Sequence, residues 1–247
     1  MAGDDLVPDP GFVWTNAVTV DRPAADVWPW VAQLGQGRGG LYSYDWLENA
    51  VLADVHSIDR LVSELQVPLD VGDRVIRMTR YAPHNPVAEY YPVMRWCWAV
   101  SPTPTRLRAG RPSTTWAFIV EPTSDRRCRL VVRSRARGPV ARPQGPIQFV
   151  MQRKMMAGIK QRAEGTWAPS GSDVLVPLSW FAGAALAAWH AGRAVGGWPD
   201  WQVSALLAGL AALGVQGLLF WDVPAVGRVG VVAALAASPV VTARRSR

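Results

Sequence analysis

The stretch "GPIQFVMQRKMMAGIKQRAE", Gly145 to Glu164, decides the fold. Ile147, Met151, Met155 and Ile159 recur every fourth residue, a spacing that lines one face of a long helix. Four strand-like segments precede it: "LDVGDRVIRMTR", "YYPVMRWCWAV", "STTWAFIVEP" and "RRCRLVVRSRAR". "TSD" between the last two reads as a hairpin turn. Further upstream "WTNAVTV", Trp14 to Val20, alternates like a strand, and "DRPAADVWPWVAQLG" reads as a helix capped by Asp21, kinked at Pro29 and ended by Gly35. The order is strand, helices, antiparallel strands, long helix, so residues 12–165 read as one α+β domain.

Downstream of Trp167 the character changes. Residues 166–174 form a Pro/Gly/Ser linker, and 175–241 is almost wholly apolar. Leu175 to Gly192 contains no formal charge and one ionisable group, His190; Val203 to Trp221 contains none. Both approach the roughly 20 residues that cross a hydrocarbon core, which places spans at about 175–195 and 203–221. A shorter run within 223–241 is a possible third span. Trp198 and Trp201 sit in the loop where an interfacial aromatic belt would lie. Arginines and lysines precede the first segment, and "ARRSR" ends the tail. With two spans the positive-inside rule puts both basic ends, and the N-terminal domain, on the cytoplasmic side. His190 is expected near a helix end at the interface.

The chain has 247 residues, 26 Lys or Arg against 19 Asp or Glu, and a net charge of +7. That balance favours an anionic partner. No basic run interleaved with aromatics reads as a nucleic-acid surface, so an anionic membrane is expected and nucleic acid is not. Cys97 and Cys128 lack metal-ligand spacing and read as buried thiols; no metal or cofactor is expected. In "RRCRLVVRSRAR" the arginines at 127, 129, 133, 135 and 137 alternate with Cys128, Leu130, Val132, Ser134 and Ala136. Period two sends the two sets to opposite faces, so Arg129, Arg133 and Arg135 are expected on an outward basic ribbon suited to anionic lipid. No acidic residue occurs from Arg126 to Ala163.

The segments "VTVDRPAADVWPWVAQLGQGRGGLYSYDWLENAVLADVHSIDR", "LDVGDRV", "TWAFIVEP", "RLVVRSRAR" and "FVMQRKMMAGIKQRAE" resemble the SRPBCC superfamily, the START/Bet v1-like group of polyketide cyclases, dehydrases and lipid carriers. The resemblance implies a helix-grip fold: an antiparallel sheet around a long C-terminal helix, with an apolar cavity between them. An appended transmembrane hairpin departs from a freely diffusing carrier.

Within that frame "YSYDWLENAV" reads as a helix near the cavity mouth, with Tyr44 and Trp46 lining it and Asp45 or Glu48 orienting a polar ligand group. Trp96 and Trp98 share one strand face, Trp116 and Phe118 another, and together they are expected to wall the cavity. His56 with Asp59, and Asp45, are the candidates for a catalytic base. Three readings stay open: a membrane-tethered binder of a lipid or other hydrophobic molecule, a cyclase or dehydratase on a polyketide-like substrate, and a ligand-free regulatory module. Nothing in the sequence sets an oligomeric state.

Overall fold

The computed structural model describes residues 4–50, 54–70, 73–77, 84–91, 95–100, 114–137, 141–169, 171–199, 201–220, 226–234 and 236. The chain divides into two compact units, Met1–Ala168 and Pro169–Arg247.

The first unit holds six strands: β1 (Phe12–Val20), β2 (Arg74–Arg77), β3 (His84–Tyr91), β4 (Arg95–Val100), β5 (Thr114–Ser124) and β6 (Arg127–Ala136). They form one antiparallel sheet in the order β1-β6-β5-β4-β3-β2. Three helices accompany them: α1 (Ala24–Ala32), α2 (Asp45–Ala50) and the long α3 (Ala141–Glu164), which packs on β1, β6 and α1. This is a helix-grip-like α+β arrangement. The alternation in β6 holds: Cys128, Leu130, Val132, Ser134 and Ala136 are all buried. In register with them, Trp116, Phe118 and Val120 of β5 complete the inner face.

Three local expectations change. Helix α1 is capped at Pro23 without a side-chain bond, two residues beyond Asp21, whose carboxylate instead pairs with Arg127 at 2.6 Å. Helix α2 is only six residues, since Tyr42 has φ 53° and cannot belong to it. On α3 the buried stripe is Gln152, Met155, Met156 and Ile159, whereas Met151 is only half-buried; Ile147 lies where side chains are not described.

The core gathers Val27, Trp30, Val31 and Leu34 of the α1 region, Tyr42, the inner faces of β5 and β6, and Met155, Met156 and Ile159 of α3. Cys128 is a free thiol at its centre, pushed up to about 11 by burial and by the nearby Glu164 charge.

The second unit holds α4 (Ser172–Val195) and α5 (Trp201–Phe220), and residues 226–234 are helical as well. Asp173–Val195 and Trp201–Leu218 are long and apolar enough to cross a membrane, judged by length and composition. The two helices pack antiparallel. A Cβ on Gly183 would lie 2.6 Å from Val215 Cγ2, so a small residue is needed there. Trp180 Nε1 and Arg228 Nη1 both donate to the Leu218 carbonyl, at 3.2 and 2.8 Å. His190 lies five residues before the end of α4 and is buried, and neither ring nitrogen has a hydrogen-bond partner among the described residues. Much of the possible third span, 223–225 and 237–241, lies outside the described residues.

A Cβ on Gly158 would clash with the Tyr42 carbonyl oxygen, so one backbone would have to shift. Gly158→Ala should therefore destabilise the first unit by about 1–3 kcal/mol, as overpacking does. Urea unfolding followed by tryptophan fluorescence should show a lower midpoint at unchanged slope.

Candidate functional site

The loop 35–42 is built around close approach. Gly35 and Gly40 exchange backbone hydrogen bonds at 2.9 and 3.0 Å, and the Gly39 N–H donates to the Gln33 carbonyl at 2.7 Å. Gly39 has no room for a side chain, since a Cβ would lie 2.7 Å from the Tyr42 hydroxyl. The Gln33 amide then ties three segments together. Its nitrogen donates to the Tyr42 hydroxyl (2.7 Å) and the Arg60 carbonyl (3.0 Å); its oxygen accepts from Val62 N (3.2 Å) and Gln66 Nε2 (3.1 Å). The Tyr42 ring is covered by the Arg162 guanidinium at 4.6 Å, and Arg162 also lies 4.4 Å from the Trp167 ring. Burial holds the Tyr42 phenol well above its ordinary range, so it stays neutral and structural.

The structure places the two catalytic candidates, Asp45 and His56, in different surroundings. Asp45 accepts from both the Ser57 N–H (2.6 Å) and the Ser57 hydroxyl (2.7 Å), and that hydroxyl accepts from Tyr42 N (2.8 Å). The carboxylate therefore pins the 55–58 segment. Asn49 completes the same stitch with paired bonds to Val55. His56 faces Asp54 at 3.4 Å, with side chains 79% and 69% exposed. Water competes for both partners of so exposed a pair.

Glu48 is the carboxyl of this region with buried, unsatisfied chemistry. It sits one helical turn from Asp45 and is buried; its Oε2 finds no hydrogen-bond partner among the described residues. Desolvation first, then the Asp45 charge, push it up to about 7, against a hydrogen bond from Ser43 that pulls the other way. Tyr44 is buried under Lys154, whose ammonium is 5.4 Å from its ring, and Trp46 is half-buried.

The inner wall of the sheet is aromatic. Trp116 and Phe118 lie 5.4 Å apart, and the register sets Trp98 opposite Trp116 and Trp96 opposite Phe118. For Trp96 and Trp98 only the backbone is described. At the β1 end, Trp14 stacks on Phe149 at 4.8 Å. A polar row that the sequence reading passed over joins this wall to α3. Asn16 Nδ2 donates to Gln152 Oε1 at 3.0 Å, and Gln148 Nε2 donates to Ser134 Oγ at 2.8 Å. Gln152 is fully buried, yet its Nε2 has no acceptor among the described residues. The available signals were a Gln at a core position of α3 and an Asn at an inward position of β1.

The arginine face is oriented as expected but is not open. Arg129 is exposed. Arg133 grips Asp4 through Nε (2.8 Å) and Nη2 (3.4 Å), and Arg135 reaches the same carboxylate at 3.2 Å. Arg135 also donates to the carbonyls of Val7 (2.9 Å) and Pro8 (3.0 Å). The chain's own N-terminal segment covers this part of the ribbon. Val7 is fully buried, and so are Ala117, Ile119 and Val131 on the outer side of β5 and β6.

No family model matches the chain, and no curated protein does. Among solved structures, a protein of unknown function from Enterococcus faecalis aligns over 68% of this chain and 85% of its own, at 10% identity and a TM-score of 0.40. The di-domain aromatase/cyclase BexL of the BE-7585A biosynthetic pathway aligns over 62% and 46%, at 16% identity and 0.36. Norcoclaurine synthase of Thalictrum flavum aligns over 62% and 94%, at 13% identity and 0.35. Likeness at these scores says nothing about ligand or activity.

Glu48 makes stability depend on pH. Its folded value near 7 exceeds the ordinary 4.5, so the folded state holds the proton more tightly. The stability this gives is fully present below 4.5 and is lost as pH rises through about 7. Glu48→Gln should be the more stable form above neutrality, by at most about 3 kcal/mol, and should show no advantage in acid. Denaturation midpoints of both forms across that range read the effect.

Proposed function

We propose that this chain is a membrane-tethered binding protein of the SRPBCC helix-grip kind. Its N-terminal domain faces the cytoplasm and takes a hydrophobic ligand, a lipid or a polyketide-like molecule. The observation that carries this reading is the inner face of the sheet: Trp116 and Phe118 on β5, together with the buried amide of Gln152 on α3, whose Nε2 has no acceptor among the described residues. An apolar molecule bearing an accepting oxygen matches that chemistry. The membrane part rests on the two apolar helices of the second unit, whose Leu175, Leu178, Phe181, Leu206, Leu210 and Leu213 point outward rather than into a core.

One observation favours a second reading. A buried carboxyl that titrates near neutrality suits general acid–base chemistry, so if the domain is an enzyme, Glu48 replaces Asp45 and His56 as the proton carrier.

The membrane reading predicts that carbonate-washed membranes retain the protein; recovery in the soluble fraction defeats it. The ligand reading predicts a co-purifying apolar molecule in native mass spectrometry of the detergent-extracted chain. Trp116 is only half-buried, so Trp116→Ala should reduce ligand occupancy while costing about 1–2 kcal/mol, short of the 3–5 typical of packed rings. An empty protein, or full occupancy in the variant, overturns it.

A further inference from the structure

The outward face of β6 is already occupied by an anion that belongs to the chain. Asp4 sits between Arg133 and Arg135, and a guanidinium fork that takes a carboxylate takes a phosphate by the same geometry. The segment that delivers Asp4 lies at the surface: Asp5, Pro8 and Asp9 are exposed, the Val7 and Pro8 carbonyls accept from Arg135, and the Val7 side chain is buried. A surface segment with several exposed residues is of the kind that opens locally. Asp4 sets one carboxylate against two guanidinium groups, and Asp5 and Asp9 add negative charge to the same segment. With the segment in place the positive charge of Arg133 and Arg135 is partly offset; without it both guanidinium groups are bare of that carboxylate.

We propose that Asp4–Pro10 is an exchangeable strap, and that an anionic bilayer surface displaces it from Arg133 and Arg135. The strap is an intramolecular competitor for phosphate headgroups. Bilayer contact and strap release are one event, in which Arg129, outside the strap's grip, makes the first encounter. The proposal rests on the membrane reading above, because only a tethered domain meets a bilayer at high effective concentration.

Thermolysin cleavage within the strap, read by mass spectrometry on the full chain, reports its opening. Carbonate extraction is run first. If the chain proves soluble the tether fails by itself, and the same assay with added vesicles still decides the strap. In phosphatidylcholine vesicles cleavage should be slow. Phosphatidylglycerol should accelerate it, and Arg129→Gln should blunt that acceleration without changing the rate in phosphatidylcholine. Asp4→Asn should open the strap in either lipid, on the order of tenfold, the loss expected for one charge-assisted grip. Asp5→Asn carries the same charge change without the ion pair and should behave as the parent. Arg133→Lys keeps the charge and loses the fork, and should also speed cleavage. Cleavage indifferent to phosphatidylglycerol overturns the proposal, and so does equal behaviour of the Asp4 and Asp5 variants.

Discussion

Where α3 passes the loop 35–42, the contact is backbone against backbone, and Gly158 is what permits it. Because that residue lacks a Cβ, the Tyr42 carbonyl lies directly on the helix, and the Tyr42 ring turns under Arg162. The left-handed φ of Tyr42 follows from being held at both ends: its N–H is bonded to Ser57 and its hydroxyl to Gln33. The strain of that conformation, on the order of 1–3 kcal/mol, persists because the surroundings over-determine it. From this point the Gln33 amide fixes the 60–66 segment, and Asp45 fixes the 55–58 segment. Much of the layer beside the sheet is thus organised by one side-chain amide and one missing methyl group.

That dependence explains which parts of the molecule could be read from the sequence. The β6 alternation was legible because period two is a local property, and each even position is buried. Helix α3 was legible as a helix, but its buried face was not. Gln152 looks polar on paper, yet it occupies a core position because Asn16, 136 residues away, supplies its partner. The start of α2 was misplaced because a tyrosine in left-handed conformation carries no sequence mark. The fate of Arg133 and Arg135 was hidden for the same reason as that of Gln152: Asp4 lies 129 residues from Arg133. Local patterns set the faces; distant partners decide whether a face is bare.

The candidate site shows how environment sorts chemically similar groups. Asp45 and Glu48 share one short helix and differ by a methylene. Asp45 meets two donors on Ser57, whereas Glu48 is left with one bond and a buried lone oxygen. The first is thereby a fastener and the second a proton store. His56, which looks more catalytic than either, is washed by solvent. The same sorting operates on the amides, where Gln33 spends its bonding capacity on structure and Gln152 keeps a donor in hand.

The buried thiol of Cys128 gives the first unit a clock. At about 11, and without exposed surface, it presents almost no thiolate at neutral pH. Its strand is the second in the sheet, flanked by β1 on one side and β5 on the other. A disulfide reagent added in excess meets this sulfur when the hairpin end of β5 and β6 opens beside the last residue of β1. The rate of its modification therefore reports how often that end of the sheet opens, without denaturant and in whatever detergent or bilayer the protein occupies.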